Sequence, residues 1–203
     1  MNRTKSIIVA VGFSLAMVFA SPVWAQGIYF DAGLGVGSAT TKMDGTNFSK
    51  LAGPGVSDVA TELGLKIGYG PVADKPLYIV GETGGIGHRF DDGSDYIQFN
   101  SYLIGPGVIY YPIPLVQLGF SVGLSWIANQ TNMPMLMFDS DGGYAYNFSA
   151  AVDLGNSNHG CLIGLKYTST TNELQISRVS QKSSMIGLFV RYTYRKKGIL
   201  LTE

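Results

Sequence analysis

The 203-residue chain carries 14 Lys+Arg against 14 Asp+Glu, a formal charge of zero, with only 14% charged residues and 27 glycines. Ordinary soluble domains are about 25% charged, and glycine here is roughly twice its usual share. The balance excludes a basic nucleic-acid surface, and a lone cysteine, Cys161, excludes an intrachain disulfide framework.

Arg3 and Lys5 precede an apolar run from Ile7 to Ala20, and Val23-Trp24-Ala25 closes the segment. A charged start, a short apolar core and a small final residue are the marks of a secretory signal peptide over 1–25. The core is shorter than the ~20 residues of a membrane-spanning helix. A mature domain over 26–203 is expected. It keeps 12 Lys+Arg against 14 Asp+Glu once Arg3 and Lys5 leave.

From there apolar residues recur at every second position, as in a strand with one greasy and one small or polar face. The first run sets Phe30, Ala32, Leu34 and Val36 against Asp31, Gly33, Gly35 and Gly37. The second sets Leu63, Leu65, Ile67 and Tyr69 against Glu62, Gly64, Lys66 and Gly68. A third, roughly Leu77 to His88, is blurred by glycines. A fourth, about Tyr96 to Tyr111, opposes Ile97, Phe99 and Leu103 to Gln98 and Asn100, and Pro106 predicts a bulge. The fifth, Val116 to Ala128, is apolar at every even position. It matches the ~9–11 residues that cross a bilayer as a tilted strand. The sixth, YAYNFSAAVDL, the seventh around Ile163, Leu165 and Tyr167, and the eighth, MIGLFVRYTY, repeat the pattern, with Phe189 falling on the inner face.

Between the runs, long connections (38–60, 89–95, 129–143, 169–182) alternate with short ones (70–76, 112–114, 155–159). Long outer loops and short periplasmic turns behave this way in bacterial barrels, and an even strand number puts both termini in the periplasm. Tyr29, Tyr69, Tyr78, Tyr110, Tyr111, Tyr192 and Tyr194 fall at strand ends beside the short turns or the termini. Phe99, Trp126, Tyr144, Tyr146 and Tyr167 fall towards the long loops, so two interfacial aromatic belts are expected. A soluble lipocalin-like barrel also alternates, but the polar face here is too poor in charge for a water-facing exterior. The expected fold is all-β: a closed antiparallel up-and-down transmembrane barrel of eight strands in the outer membrane.

With this pattern the chain resembles the small eight-stranded outer-membrane barrels, the OmpA-, OmpX- and OmpW-like group. The stretch GLFVRYTY, with Gly187, Val190, Tyr192 and Tyr194, is similar to the assembly signal on the last strand of those proteins. The resemblance implies outer-membrane lipid and the outer-membrane assembly machinery as partners, with no cofactor. Family members often end on an aromatic residue, whereas here RKKGILLTE follows Tyr194, read as a short periplasmic tail over 195–203.

The inward face collects Asp31, Glu62, Lys66, Glu82, Asp153, Lys166 and Arg191. Both signs are present. Two readings follow: a plugged, salt-bridged interior, or a narrow path for small solutes with room left by the inward glycines. In the loop 129–143, Met133, Met135, Leu136, Met137 and Phe138 form an apolar cluster where water is expected, the mark of an interaction site. OmpW-like proteins are associated with passage of small hydrophobic compounds, which makes this cluster an entry lip in that reading. Asp91, Asp92, Asp95, Asp139 and Asp141 sit in turn-forming sequence without the bidentate Glu of a calcium loop, so no metal site is expected. His88 lies near Asp91 and Asp92, but no nucleophile–base pair is visible. The leading expectation is a non-enzymatic, porin-like or OmpW-like conduit for small, hydrophobic solutes. The alternative is a surface interaction or adhesion protein that binds extracellular ligands through its loops. An outer-membrane enzyme comes third.

Overall fold

The computed structural model describes residues 27–51, 55–73, 75–133, 140–155, 158–174 and 179–195. The expected signal peptide over 1–25, the expected tail beyond Arg195 and four of the five loop residues, Met135, Leu136, Met137 and Phe138, lie outside them.

Eight long strands form the wall: β1 Ile28–Met43, β2 Ser57–Tyr69, β3 Leu77–Asp91, β4 Tyr96–Ile113, β5 Val116–Ile127, β6 Ser140–Asp153, β7 His159–Leu174 and β8 Ser180–Arg195. Each pairs antiparallel with the next, and β8 returns to β1 from Tyr29↔Arg195 to Met43↔Gln181, so the sheet closes with no free edge. Closure satisfies every wall strand on both sides, which a strand buried in lipid requires. Two two-residue strands, Thr46–Asn47 and Gln130–Thr131, and one short helix, α1 Phe48–Leu51, decorate the loop end.

The alternation decides which way the barrel is turned. Leu34 is 66% exposed on the outside, whereas Arg191 on the neighbouring strand is 1% exposed on the inside. Leu63, Leu118, Phe148, Leu165 and Leu188 continue the exposed apolar band around the wall. A barrel in water would hide these side chains; one in lipid displays them. Among the described residues no helix is long and apolar enough to cross a membrane.

Four expectations need correction. In β4 the faces are reversed: Phe99 and Leu103 point inward at 2% exposure, while Tyr102 stacks on Trp126 outside, ring centroids 5.6 Å apart. Both faces of this strand are apolar, so alternation alone does not fix its parity. Tyr29, Tyr78 and Tyr111 are fully buried inside and are not part of a belt. The outer aromatic pairs are instead Phe30–Tyr192, Phe120–Phe148 and Tyr146–Tyr167, beside Tyr102–Trp126.

The strict alternation of connection lengths also dissolves. The β3–β4 connection shrinks to residues 92–95 and the β7–β8 connection to 175–179, because the strands run on past the apolar band. Pro106 causes no bulge. The β4–β5 ladder passes Gly105 and Pro106 and resumes in the same register, and the shift comes later, between Tyr110 and Ile113.

Candidate functional site

The interior is built in layers. At mid-height, β1, β2, β3, β7 and β8 each send charged side chains inward. Lys166 Nζ lies 3.0 Å from Glu82 and 3.5 Å from Glu62. Lys66 Nζ lies 3.6 Å from the other oxygen of Glu82, which also accepts from the Ser121 hydroxyl. Arg191 joins Glu62 at 3.0 Å and Asp31 at 3.3 Å, with its guanidinium 4.6 Å from the Phe189 ring centroid. Three cations and three anions therefore form one belt across the lumen, with no member more than 6% exposed.

Pairing within the belt is obligatory. Uncompensated buried charges cost several kcal/mol each, on the order of what a whole domain has to spare.

Inward glycines make room for the belt. A Cβ on Gly64 would fall 2.5 Å from Nη2 of Arg191, and one on Gly35 would fall 2.6 Å from Cγ of Glu62. At these two positions the space that glycine leaves open is occupied by charged side chains, whereas Gly68 and Gly123 lie against neighbouring backbone.

Below the belt, at the short-turn end, lies a floor. Arg195 holds Asp153 through Nε and Nη2 at 3.0 and 2.8 Å and stacks on Tyr111, 3.8 Å from the ring centroid. Gln117 donates to the hydroxyls of Tyr29 and Tyr111 at 2.9 and 2.8 Å. The Tyr29 hydroxyl donates in turn to Asp31 at 2.7 Å, which ties floor to belt.

Above the belt the charges stop. Asn147, Thr168, Asn172, Gln181 and Ser101 face inward on one side; Ala39, Ala60, Ile86 and Met185 pack together on the other. Towards the loops, α1 turns Phe48 onto Phe90 and Phe99, ring centroids 5.0 and 4.7 Å away, and covers the β3–β4 side of the mouth like a lid. His88, fully buried, meets Thr41 Oγ1 at 2.9 Å through Nδ1 and Asp58 at 3.6 Å through Nε2. The expected neighbour Asp91 is instead bound by Arg89 at 2.6 Å. Hydroxyl, imidazole and carboxylate stand in a row, but Thr41 is 0% exposed, so the row ties β1, β2 and β3 together.

On the outer side of the lid is a cleft of about 140 Å³, lined by Phe48, Val56, Phe90, Ile97 and Met133, with Asp91, Asp92 and Asp95 at its rim. The Asp92 carboxylate accepts from the backbone N–H groups of Asp95 and Ser94 and from the Ser94 hydroxyl, which holds it below the usual carboxylate range. No group of three or more metal-ligating side chains occurs among the described residues.

No protein-family model matches the chain, and no curated protein sequence matches it. Solved structures do. The attachment invasion locus protein Ail of Yersinia pestis, crystallised with the heparin analogue sucrose octasulfate, aligns at TM-score 0.53 and 13% identity over 82% of this chain and 99% of Ail. Neisserial surface protein A aligns at 0.49 and 16% identity, covering 82% and 97% of the two chains. The outer membrane protein OprG from Pseudomonas aeruginosa aligns at 0.44 and 16%, covering 85% and 98%. The fold is that of a small outer-membrane β-barrel.

Within that barrel all seven charged residues expected in the lumen do face inward. Six form the belt, and Asp153 joins the floor. Of the loop cluster only Met133 is described, and it lines the cleft. Arg195, Tyr29, Tyr78 and Tyr111 were missed, although the alternation carried the signal: the parity that puts Asp31 and Arg191 inside also puts Tyr29 and Arg195 there.

Proposed function

We propose that the protein is a non-enzymatic outer-membrane barrel, both termini periplasmic, that works as a surface binding protein. On this reading the wall is a rigid, sealed stave and the loop end makes the contacts. The observation that carries it is the closed belt: the glycine space that a conduit needs is filled by Arg191 and Glu62, and the lid of Phe48, Phe90 and Phe99 covers the β3–β4 side of the mouth. The cleft beside Met133, apolar below and acidic at the rim, supports the loop end as the working surface.

A conduit for small hydrophobic solutes is the second reading. The uncharged upper interior favours it, since one end of that layer meets the lid and the other meets the belt and floor.

Planar-bilayer recording of the refolded full chain separates the two. The sealed reading expects silence, with no liposome swelling in small neutral solutes. Discrete steps that change amplitude in Lys66→Gln or Lys166→Gln would establish the conduit and overturn the proposal.

A further inference from the structure

Lys42 and Lys182 are directly opposite each other across the β1–β8 seam, both on the outer face and both exposed. Opposed residues hold their Cβ atoms about 4.5–5.5 Å apart, and like charges in that position destabilise a sheet. The rung they share extends in both directions: Thr171 is opposite Lys182 on β7, Tyr144 is opposite Thr171 on β6, and Asn47 is opposite Lys42. Two ammonium groups are therefore flanked by a hydroxyl and a carboxamide, and no acidic residue stands in the row.

Nearby acids leave this charge in place. Glu173 is one position further along the face, diagonal to Lys182, and Asp44 lies in the turn after β1, yet neither is an ion-pair partner of either lysine among the described residues. Arg89 supplies the contrast. Among the described wall strands it is the other outward cation near the loops, and Asp91 neutralises it at 2.6 Å while Tyr96 covers its face. Arg89 thus has its anion within the protein, and among the described residues the lysine pair has none.

The height of the rung selects the anion. Outward residues on β8 run Tyr194, Tyr192, Val190, Leu188 and Ile186 before Ser184 and Lys182; on β1 they run Phe30 to Val36 before Ser38, Thr40 and Lys42. Four residues of strand beyond Ile186, tilted by about 40°, lift Lys182 roughly 10 Å above the apolar band. The head-group layer is about 5–8 Å deep on each side, so the backbone of the rung stands just above it and the long lysine side chains reach back to the lipid phosphates.

We propose that the Lys42–Lys182 rung binds phosphate groups of lipid head groups in the leaflet at the loop end, with Thr171 and Asn47 as additional donors. The lipid source rests on the loop end facing outward, as in the proposed function; the site itself does not.

Native mass spectrometry of the full chain in detergent, titrated with a bis-phosphorylated glycolipid and its dephosphorylated counterpart, tests this. The wild type should retain the phosphorylated lipid preferentially. Lys42→Gln/Lys182→Gln should weaken that retention roughly tenfold or more, while Lys75→Gln in a short turn leaves it unchanged. The double variant should unfold in urea at the wild-type midpoint or above, because a repulsive pair has gone. A lower midpoint would make the lysines structural and overturn the site. So would equal retention of both lipids. Displacement by millimolar inorganic phosphate would reassign the rung to free phosphate, and displacement by a sulfated polysaccharide would reassign it to a glycan; either overturns the lipid. Labelling of Lys42→Cys in a Cys161→Ser background by an impermeant maleimide on intact cells reports the orientation. Labelling without lipid binding defeats the site alone, whereas absent labelling defeats the outward loop end and the lipid source with it.

Discussion

At mid-barrel every buried charge has an opposite charge within 3.6 Å. A few rungs nearer the loops, buried polar atoms stand without a partner among the described residues: Asn147 Nδ2, Thr168 Oγ1, Asn172 Oδ1, Gln181 Nε2 and Ser101 Oγ. Both layers are closed to solvent, so burial does not distinguish them. What differs is the consequence of leaving a group unpaired. An isolated buried ion costs several kcal/mol, so every belt charge has a counter-ion, even where a single donor such as Lys66 Nζ or Arg191 Nε makes no hydrogen bond. An unpaired hydroxyl or amide costs about 1–3 kcal/mol, which a barrel tolerates at several positions. The belt is therefore the rigid part of the interior and the layer above it the adjustable part, which is the side on which the lid and the cleft lie.

Breaking the belt should have the largest effect. Glu82→Gln removes the anion shared by Lys66 and Lys166. Lys166 keeps Glu62, but Lys66 is left without a carboxylate within ion-pair distance. A loss of about 3–5 kcal/mol is expected, read as a lower urea midpoint in lipid vesicles. An unchanged midpoint would show that the belt is ornamental.

Overfilling the belt comes next. Gly64→Ala puts a methyl where Arg191 lies, and that guanidinium is clamped by Asp31 and Glu62, so it yields only by giving up a charge pair. Overpacking of this kind costs about 1–3 kcal/mol. If the same assay finds Gly64→Ala as stable as the wild type, the glycine space is not needed by Arg191, and the case against a conduit weakens.

Much of this was legible in the chain because a lipid-facing strand leaves charge only one direction to go. Asp31, Glu62, Lys66, Glu82, Asp153, Lys166 and Arg191 fall on one parity of their strands, and the structure finds all of them inside. The same rule applied to aromatics would have placed Tyr29 with Asp31 and Tyr78 and His88 with Glu82. Tyrosine is equally at home in an interfacial belt, and its chemistry masked its parity. In β4 parity itself failed: Phe99, Leu103 and Ile109 face in while Tyr102, Ile104 and Val108 face out, so both faces read as apolar. Its direction comes from pairing with β3, where Glu82 is opposite Gly105. Pairing partners of that kind are invisible along a single run. Arg195 was read into the tail because basic residues follow it, yet its parity with Arg191 puts it in the floor. The Thr41–His88–Asp58 row joins three strands and had no local signature at all.

The smallest effect is the sharpest test of the contrast between layers. Thr168 is 2% exposed, and its hydroxyl has no hydrogen-bond partner among the described residues. Thr168→Val keeps the shape and removes the unpaired oxygen. Such a replacement relieves a desolvation cost without opening a cavity, so stability should stay within about 1 kcal/mol of the wild type or rise. The Glu82→Gln change, similar in size and within the belt, is expected to cost several times more. If Thr168→Val were as damaging as Glu82→Gln, the hydroxyl would hold a partner as necessary as a counter-ion. The upper interior would then be as fully specified as the belt, and the loop end would lose its adjustable foundation.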